Sequence, residues 1–340
     1  MIIKIRGKII RTDSIFIVLL ISMAIIIAGE IFIGCRDLHT KEKSPELQTN
    51  TQNRDTLWRG KDTTQISTDS DSGKLIMYGY RLIVHTARYL GPKGVIAHIS
   101  NGMNCENCHL EGGTKPFANN FAEVYSTYPK YIARNNSIQN IYGRINECLE
   151  RSLNGQPLDT SSREMQAMYA YMKWLGEGVS KDNPPKGAVI PKLKYMSRAA
   201  DPVAGKQVFE IYCQSCHGAN GEGVMNLNGI GYTFPPLWGK HSFNDGAGFY
   251  RLGNFAEFVK NDMPLGTTYQ HPVLSDQQAW DVAAFVNSEP RPHKNQSMDW
   301  KDIAKKPVDF PFGPYTDTFS QRQHKYGPFL PIKKDREKIK

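Results

Sequence analysis

The sequence predicts a mainly α protein made of two tandem helical domains and an extended C-terminal segment. Three observations carry that expectation. At 340 residues the chain exceeds what one core ordinarily supports and suits about two domains. The pattern C-x-x-C-H occurs twice, as Cys105-Glu106-Asn107-Cys108-His109 and Cys213-Gln214-Ser215-Cys216-His217. Each copy stands between a helical stretch upstream and a capped helical stretch downstream. Hydrophobic residues make up 40% of the chain and charged residues 22%, with mean hydropathy −0.48, which argues against a disordered or multiply membrane-spanning protein.

Residues 1–35 read as a signal or anchor segment. Lys4, Arg6, Lys8 and Arg11 precede an apolar run over residues 15–34, the arrangement of an export signal or a single membrane anchor. The run ends in Phe32-Ile33-Gly34-Cys35, which resembles a relaxed bacterial lipobox, so cleavage would leave Cys35 lipidated. The alternative is an uncleaved N-terminal membrane helix. Either way the body is expected on the periplasmic side of a bacterial membrane, and no second apolar span follows. Residues 36–74 are polar and read as a flexible tether.

Residues 75–180 form the expected first domain. Leu82, Ile83 and Leu90 recur at helical spacing, and residues 161–175 read as a terminal helix capped by Ser161, with Glu164 at the capping-box position. After a linker over residues 181–198, residues 199–290 form the second domain. There residues 201–212 read as a short helix with Val208 and Ile211 on one side. Ser275 caps a second helix whose Trp280, Ala284 and Phe285 lie at helical spacing and which Pro290 and Pro292 end. Residues 291–340 are expected as a C-terminal wrap with a solvated, mixed-charge end.

The C-x-x-C-H spacing presents two thiols to the two vinyl groups of one haem, while the adjacent histidine reaches the iron. Composition gives roughly 0.003 chance copies, so two copies are no accident. A zinc or thioredoxin-type site is disfavoured, because both copies carry the histidine and neither has a second C-x-x-C partner. Two covalently bound haem c groups follow, on Cys105, Cys108 and His109 and on Cys213, Cys216 and His217. In the second domain Met263-Pro264 stands 46 residues after His217, in the loop before the last helix. The order helix, motif, Met-Pro loop, helix resembles class I cytochrome c, where this methionine is the distal ligand. The first domain repeats the scheme, so the fold class is two tandem class I cytochrome c-like domains.

One element of the scheme is missing from the first domain. No methionine occurs from residue 110 to 159, and Cys148 stands there instead, 39 residues after His109. Four cysteines belong to the haems and Cys35 to the anchor, which leaves Cys148 without a partner. Three readings are open: an axial thiolate on the first haem, a buried inert thiol, or a disulfide elsewhere. A thiolate donor would make the iron electron-rich and lower its potential. Arg144, Cys148 and Ser152 are spaced by four and share one face of a helix, with Arg134 upstream. An arginine beside a thiol lowers its pKa and binds anionic oxygens through a planar fork. Either arginine could instead meet a haem propionate or solvent.

Asn101-Gly102 followed by CENCHLEGGTKPFA, then YGRINECLERSLNGQPL, then the Met263-Pro264 loop, resembles the dihaem thiosulfate dehydrogenase and tetrathionate reductase family. Residues 307–332 are similar to the tail of that family, and the resemblance covers residues 75–332. It implies that His109 and Cys148 ligate the catalytic haem, that His217 and Met263 ligate an electron-transfer haem, and that Arg134, Arg144 and Ser152 line the substrate site. It also implies the interconversion of two thiosulfates with tetrathionate and two electrons. A small cytochrome c or a membrane redox complex would exchange those electrons. Some members carry a lysine immediately before the distal methionine and exchange ligands with redox state. Asp262 stands there in this chain, with Lys260 nearby.

Two dianions at about 4 Å repel by roughly 16 kcal/mol at an effective dielectric of about 20, so cationic side chains must offset them. The net charge of +9, or +7 without residues 1–34, suits steering of such anions. The alternative is a non-catalytic dihaem electron-transfer cytochrome, with Cys148 only tuning potential. A dihaem peroxidase needs an open distal position, which Cys148 and Met263 would fill. No nucleic-acid partner is expected, because the charge is spread along the chain and the protein is exported.

Overall fold

The computed structural model describes residues 57–338, together with the strands Ile2–Ile5 (β1) and Lys8–Arg11 (β2), which pair antiparallel with Ile3 opposite Ile10. The apolar run over residues 15–34, Cys35 and residues 36–56 of the tether lie outside the described residues. Among the described residues no helix is long and apolar enough to cross a membrane.

Residues 57–338 belong to one compact unit that contains the same helical crossing twice. In the first, α1 (Asp71–Val84) starts at Ser70, whose hydroxyl accepts from the Gly73 N–H. Helix α2 (Ile141–Glu147) carries the chain toward Cys148, and α3 (Arg163–Gly176) packs across α1. The crossing point is Gly79: a Cβ there would stand 2.0 Å from the Ala167 carbonyl oxygen, so only glycine admits this approach. Leu82, Ile83, Met165, Met168, Tyr171 and Leu175 close the core behind it.

The second crossing uses α4 (Pro202–Tyr212), α5 (Leu252–Asp262) and α6 (Asp276–Ser288). Asp201 caps α4 ahead of Pro202, whose missing N–H costs nothing in the first turn. Ser275 and Gln278 close a capping box on α6. A Cβ on Gly205 would stand 1.9 Å from the Asp281 carbonyl oxygen, the counterpart of Gly79. Phe209, Leu252, Ala256 and Trp280 fill this core.

Several sequence expectations change. Helix α3 is capped by Ser162 rather than Ser161, its hydroxyl accepting from the Met165 N–H. With Ser162 as cap the capping-box position falls on Met165, so Glu164 closes no box and its carboxylate accepts from the Tyr78 hydroxyl at 2.8 Å. Ile211 is 71% exposed, and Phe209 joins Val208 inside in its place. Packed structure begins well before residue 75: Trp58 and Ile66 are buried, and the Trp58 N–H donates to Lys186 O at 2.7 Å. Trp58 clusters with Ala122, Val179 and Ala188, which seats the start of the expected linker.

The C-terminal segment is packed as well. Helix α7 (Phe329–Lys338) buries Phe329 and Ile332 in the second core, and Arg336 pairs with the fully buried Asp317 at 3.0 Å, so this end is not simply solvated. Upstream, the Trp300 N–H donates to Arg134 O at 2.7 Å and Asp299 pairs with Arg151 at 2.8 Å. The segment therefore braces the region around Cys148.

Candidate active site

Cys148 lies where α2 gives way to a π-helical turn over Cys148–Ser152. Such turns widen the helix and re-aim its side chains, and they concentrate at functional sites. Asn140 starts α2 by accepting from the Gly143 N–H, which places Arg144 one turn before Cys148. Just upstream, β3 (Lys130–Ile132) and β4 (Ser137–Gln139) form a short hairpin with Arg134 in its turn.

These elements border two neighbouring cavities. One, of about 420 Å³, is lined by Cys105, Cys108, His109 and Met168 and receives Cys148. The other, of about 490 Å³, is lined by Arg134, Glu147, Arg151 and Trp300 and also receives Cys148. Arg144, Cys148 and Ser152 line both, so the predicted grouping holds although the turn is π rather than α. Arg134 lines only the second. A cleft of about 740 Å³ beside His98 and His241 contains none of the predicted residues.

The sequence reading missed Glu147. One of its carboxylate oxygens binds Arg134 at 2.5 Å and Arg144 at 3.3 Å, and the other accepts from the Asn135 side-chain amide. Burial would raise this carboxyl, but Arg134 and Asn135 outweigh it and hold the group at about 2. Cys148 raises the affinity of Arg144 for its proton, against the cost of burial. The available signal was the three-residue spacing from Arg144, which lets an acid and a base pair on one helix.

Tyr128 and Lys130 were also missed, and both line both cavities. The Lys130 ammonium lies 4.5 Å from the Tyr128 ring centroid, and no described carboxylate comes within 4.0 Å of it. Other cations around the second cavity are matched: Lys192 with Glu257 at 2.8 Å and Arg251 with Asp309 at 2.6 Å.

The residues around the motifs fit covalently attached haem. Nδ1 of His109 lies 2.6 Å from Asn119 O and Nδ1 of His217 lies 2.8 Å from Pro235 O. A carbonyl partner keeps the proton on Nδ1 and frees Nε2 for a metal. Burial lowers both imidazoles, His109 to about 4, so both stay neutral as metal ligation requires. Burial pushes the Cys105, Cys108 and Cys213 thiols up to about 12, the reverse of a reactive thioredoxin-type pair. A third cavity of about 500 Å³ gathers Cys213, Cys216, His217 and, at the end of α5, Met263. Cys148 forms no disulfide among the described residues. The Lys260 amine is engaged by Leu274 O at 2.7 Å and Asp276 at 2.9 Å.

Comparison with known proteins agrees with this construction. The family described as SoxA/TsdA, cytochrome c domain, matches residues 97–180, and the family described as cytochrome c matches residues 202–289. The thiosulfate dehydrogenase of Stutzerimonas stutzeri (strain A1501) is 38% identical over 220 residues, covering 65% of this chain and 68% of that protein. The thiosulfate dehydrogenase of Allochromatium vinosum is 41% identical over 216 residues, covering 62% of this chain and 78% of that protein. The as-isolated structure of thiosulfate dehydrogenase (TsdBA) from Marichromatium purpuratum superposes with a TM-score of 0.63 at 29% identity. That match covers 70% of this chain and 50% of the other. On the strength of these relatives and the paired haem-attachment cavities, the chain belongs to the thiosulfate dehydrogenase family, with two covalently bound haem c groups in two tandem cytochrome c domains.

Proposed function

We propose that this protein interconverts two thiosulfates with tetrathionate and two electrons, with Cys148 at the reacting centre. One observation carries the reading: Cys148 stands between a haem-attachment cavity and a second cavity rich in cationic side chains. His109 and Cys148 would hold the first haem, and His217 and Met263 the second. When bound, the two haems supply a pair of one-electron acceptors, which matches the two electrons released per tetrathionate.

The chain's own residues bind and orient the anions. Arg134 and Arg144 offer planar forks to sulfonate oxygens, and Glu147 holds both in place. Glu147 also cancels one of their charges, so the arginines alone leave a net charge of one against four on two dianions. Lys130, with no described carboxylate within 4.0 Å, supplies a further cation at the same site, and the Ser152 hydroxyl is a neutral donor. The Cys148 thiolate bonds to the terminal sulfur of one thiosulfate, releasing two electrons. A second thiosulfate then attacks that sulfur, forms tetrathionate and regenerates the thiolate. Charge and sulfur balance in both steps.

In this reading the body lies on the periplasmic side of a membrane, held by a lipidated Cys35 or an uncleaved N-terminal helix. A small cytochrome c or a membrane redox complex would exchange its electrons. Haem-loaded protein supplied with thiosulfate and an artificial acceptor, or with tetrathionate and a reduced dye, should turn over in at least one direction. Haem reduction and reoxidation without turnover of either substrate would leave only the electron-carrier reading.

A further inference from the structure

The loop after the first haem motif reaches into the second haem's cavity. Lys115, six residues beyond His109, lines that cavity together with Asp262 and Met263. Its ammonium lies 3.1 Å from an Asp262 carboxylate oxygen and donates to Thr267 O at 3.0 Å. The two side chains are 14% and 1% exposed, so the pair is shielded from water. Neither carboxylate oxygen of Asp262 has a hydrogen-bond partner among the described residues, so the Lys115 ammonium is the charge that faces it. Two residues further along, the Phe117 ring stacks on Tyr269 at 4.3 Å. The segment between residues 262 and 269 is thus grasped at three points by a loop of the other haem domain. Met263 lies within that grip.

We infer that Lys115 is a positioning residue that clamps the Met263 loop over the second haem, linking the ligand of one haem to the loop of the other. A buried ion pair that loses one partner leaves an uncompensated charge, and the loop must then move to expose it. That movement loosens Met263. The pair spans the two haem domains, so displacement of the loop around Lys115 acts directly on the second haem's distal side. The inference rests on Met263 being the distal ligand, as proposed above, and not on the substrate.

The test uses the haem-loaded full chain and imidazole as a competitor for Met263, read by bleaching of the ferric methionine–iron charge-transfer band. Lys115→Gln and Asp262→Asn should each bind imidazole at this haem about tenfold more tightly than wild type. Lys115→Arg should stay close to wild type. Lys115→Gln with Asp262→Asn should lie nearer wild type than either single variant, because no buried charge is left unpaired. The first haem, lacking a methionine ligand, contributes nothing to this band. Wild-type affinity in Lys115→Gln, or simple additivity in the double variant, overturns the clamp while leaving Met263 as ligand. A wild-type protein without the band removes Met263 as ligand and the clamp with it.

Discussion

Replacing Glu147 by glutamine removes the carboxylate that Arg134 and Arg144 share while keeping nearly the same shape. The size of the effect follows from the site. A carboxyl held at about 2 instead of its ordinary 4.5 corresponds to about 3 kcal/mol of folding stability once the group is ionised in both states. Because the folded-state pKa is the lower one, that contribution is complete above pH 4.5 and is lost as pH falls toward 2. Urea unfolding of the haem-loaded protein should show Glu147→Gln about 3 kcal/mol less stable than wild type at pH 7. At pH 3 the gap should narrow to about 1 kcal/mol. An equal deficit at both pH values would mean that Glu147 acts through packing, and no deficit at pH 7 would refute the ion-pair reasoning outright.

Two further predictions concern the anion site and the helix crossings. Lys130→Gln should raise KM for thiosulfate about tenfold with kcat within about twofold, and Lys130→Arg should restore most of the loss, as initial rates at low ionic strength would record. Gly79→Ala and Gly205→Ala should each lower stability by about 1–3 kcal/mol or more, because the new methyl meets a backbone carbonyl. Those losses should appear in unfolding curves while the attached haems are retained.

What the sequence revealed and what it concealed divide along the range of the interactions. The haem attachments were legible because thiol spacing and the adjacent histidine are set within five residues. The grouping of Arg144, Cys148 and Ser152 was legible because helical spacing is local, and it tolerated the change from an α to a π turn. Glu147 escaped notice because its importance comes from Arg134, which a hairpin brings back across thirteen residues of chain. Lys130 escaped because its distinction is that no described carboxylate lies within 4.0 Å of it, although Glu123 acts on it from further away, and no local pattern announces that. The shift of the α3 cap from Ser161 to Ser162 reflects two adjacent serines with equal local claims and a Tyr78 hydroxyl that engages Glu164. The C-terminal segment looked peripheral because its contacts, Trp300 to Arg134 and Asp299 to Arg151, join residues about 150 positions apart or more. Trp58 sat in a polar context that pointed to a tether, yet one tryptophan buries enough apolar surface to seat that strand of chain.

The proposed reaction turns on Cys148 as the reacting sulfur. Its most direct test compares wild type with Cys148→Ser, both carrying two haems, during thiosulfate oxidation with an artificial acceptor, followed by peptide-mass analysis of rapidly quenched, proteolysed samples. The prediction is tetrathionate production and a thiosulfate-mass adduct on the Cys148 peptide in wild type, with both lost in Cys148→Ser. Full turnover by Cys148→Ser would contradict it.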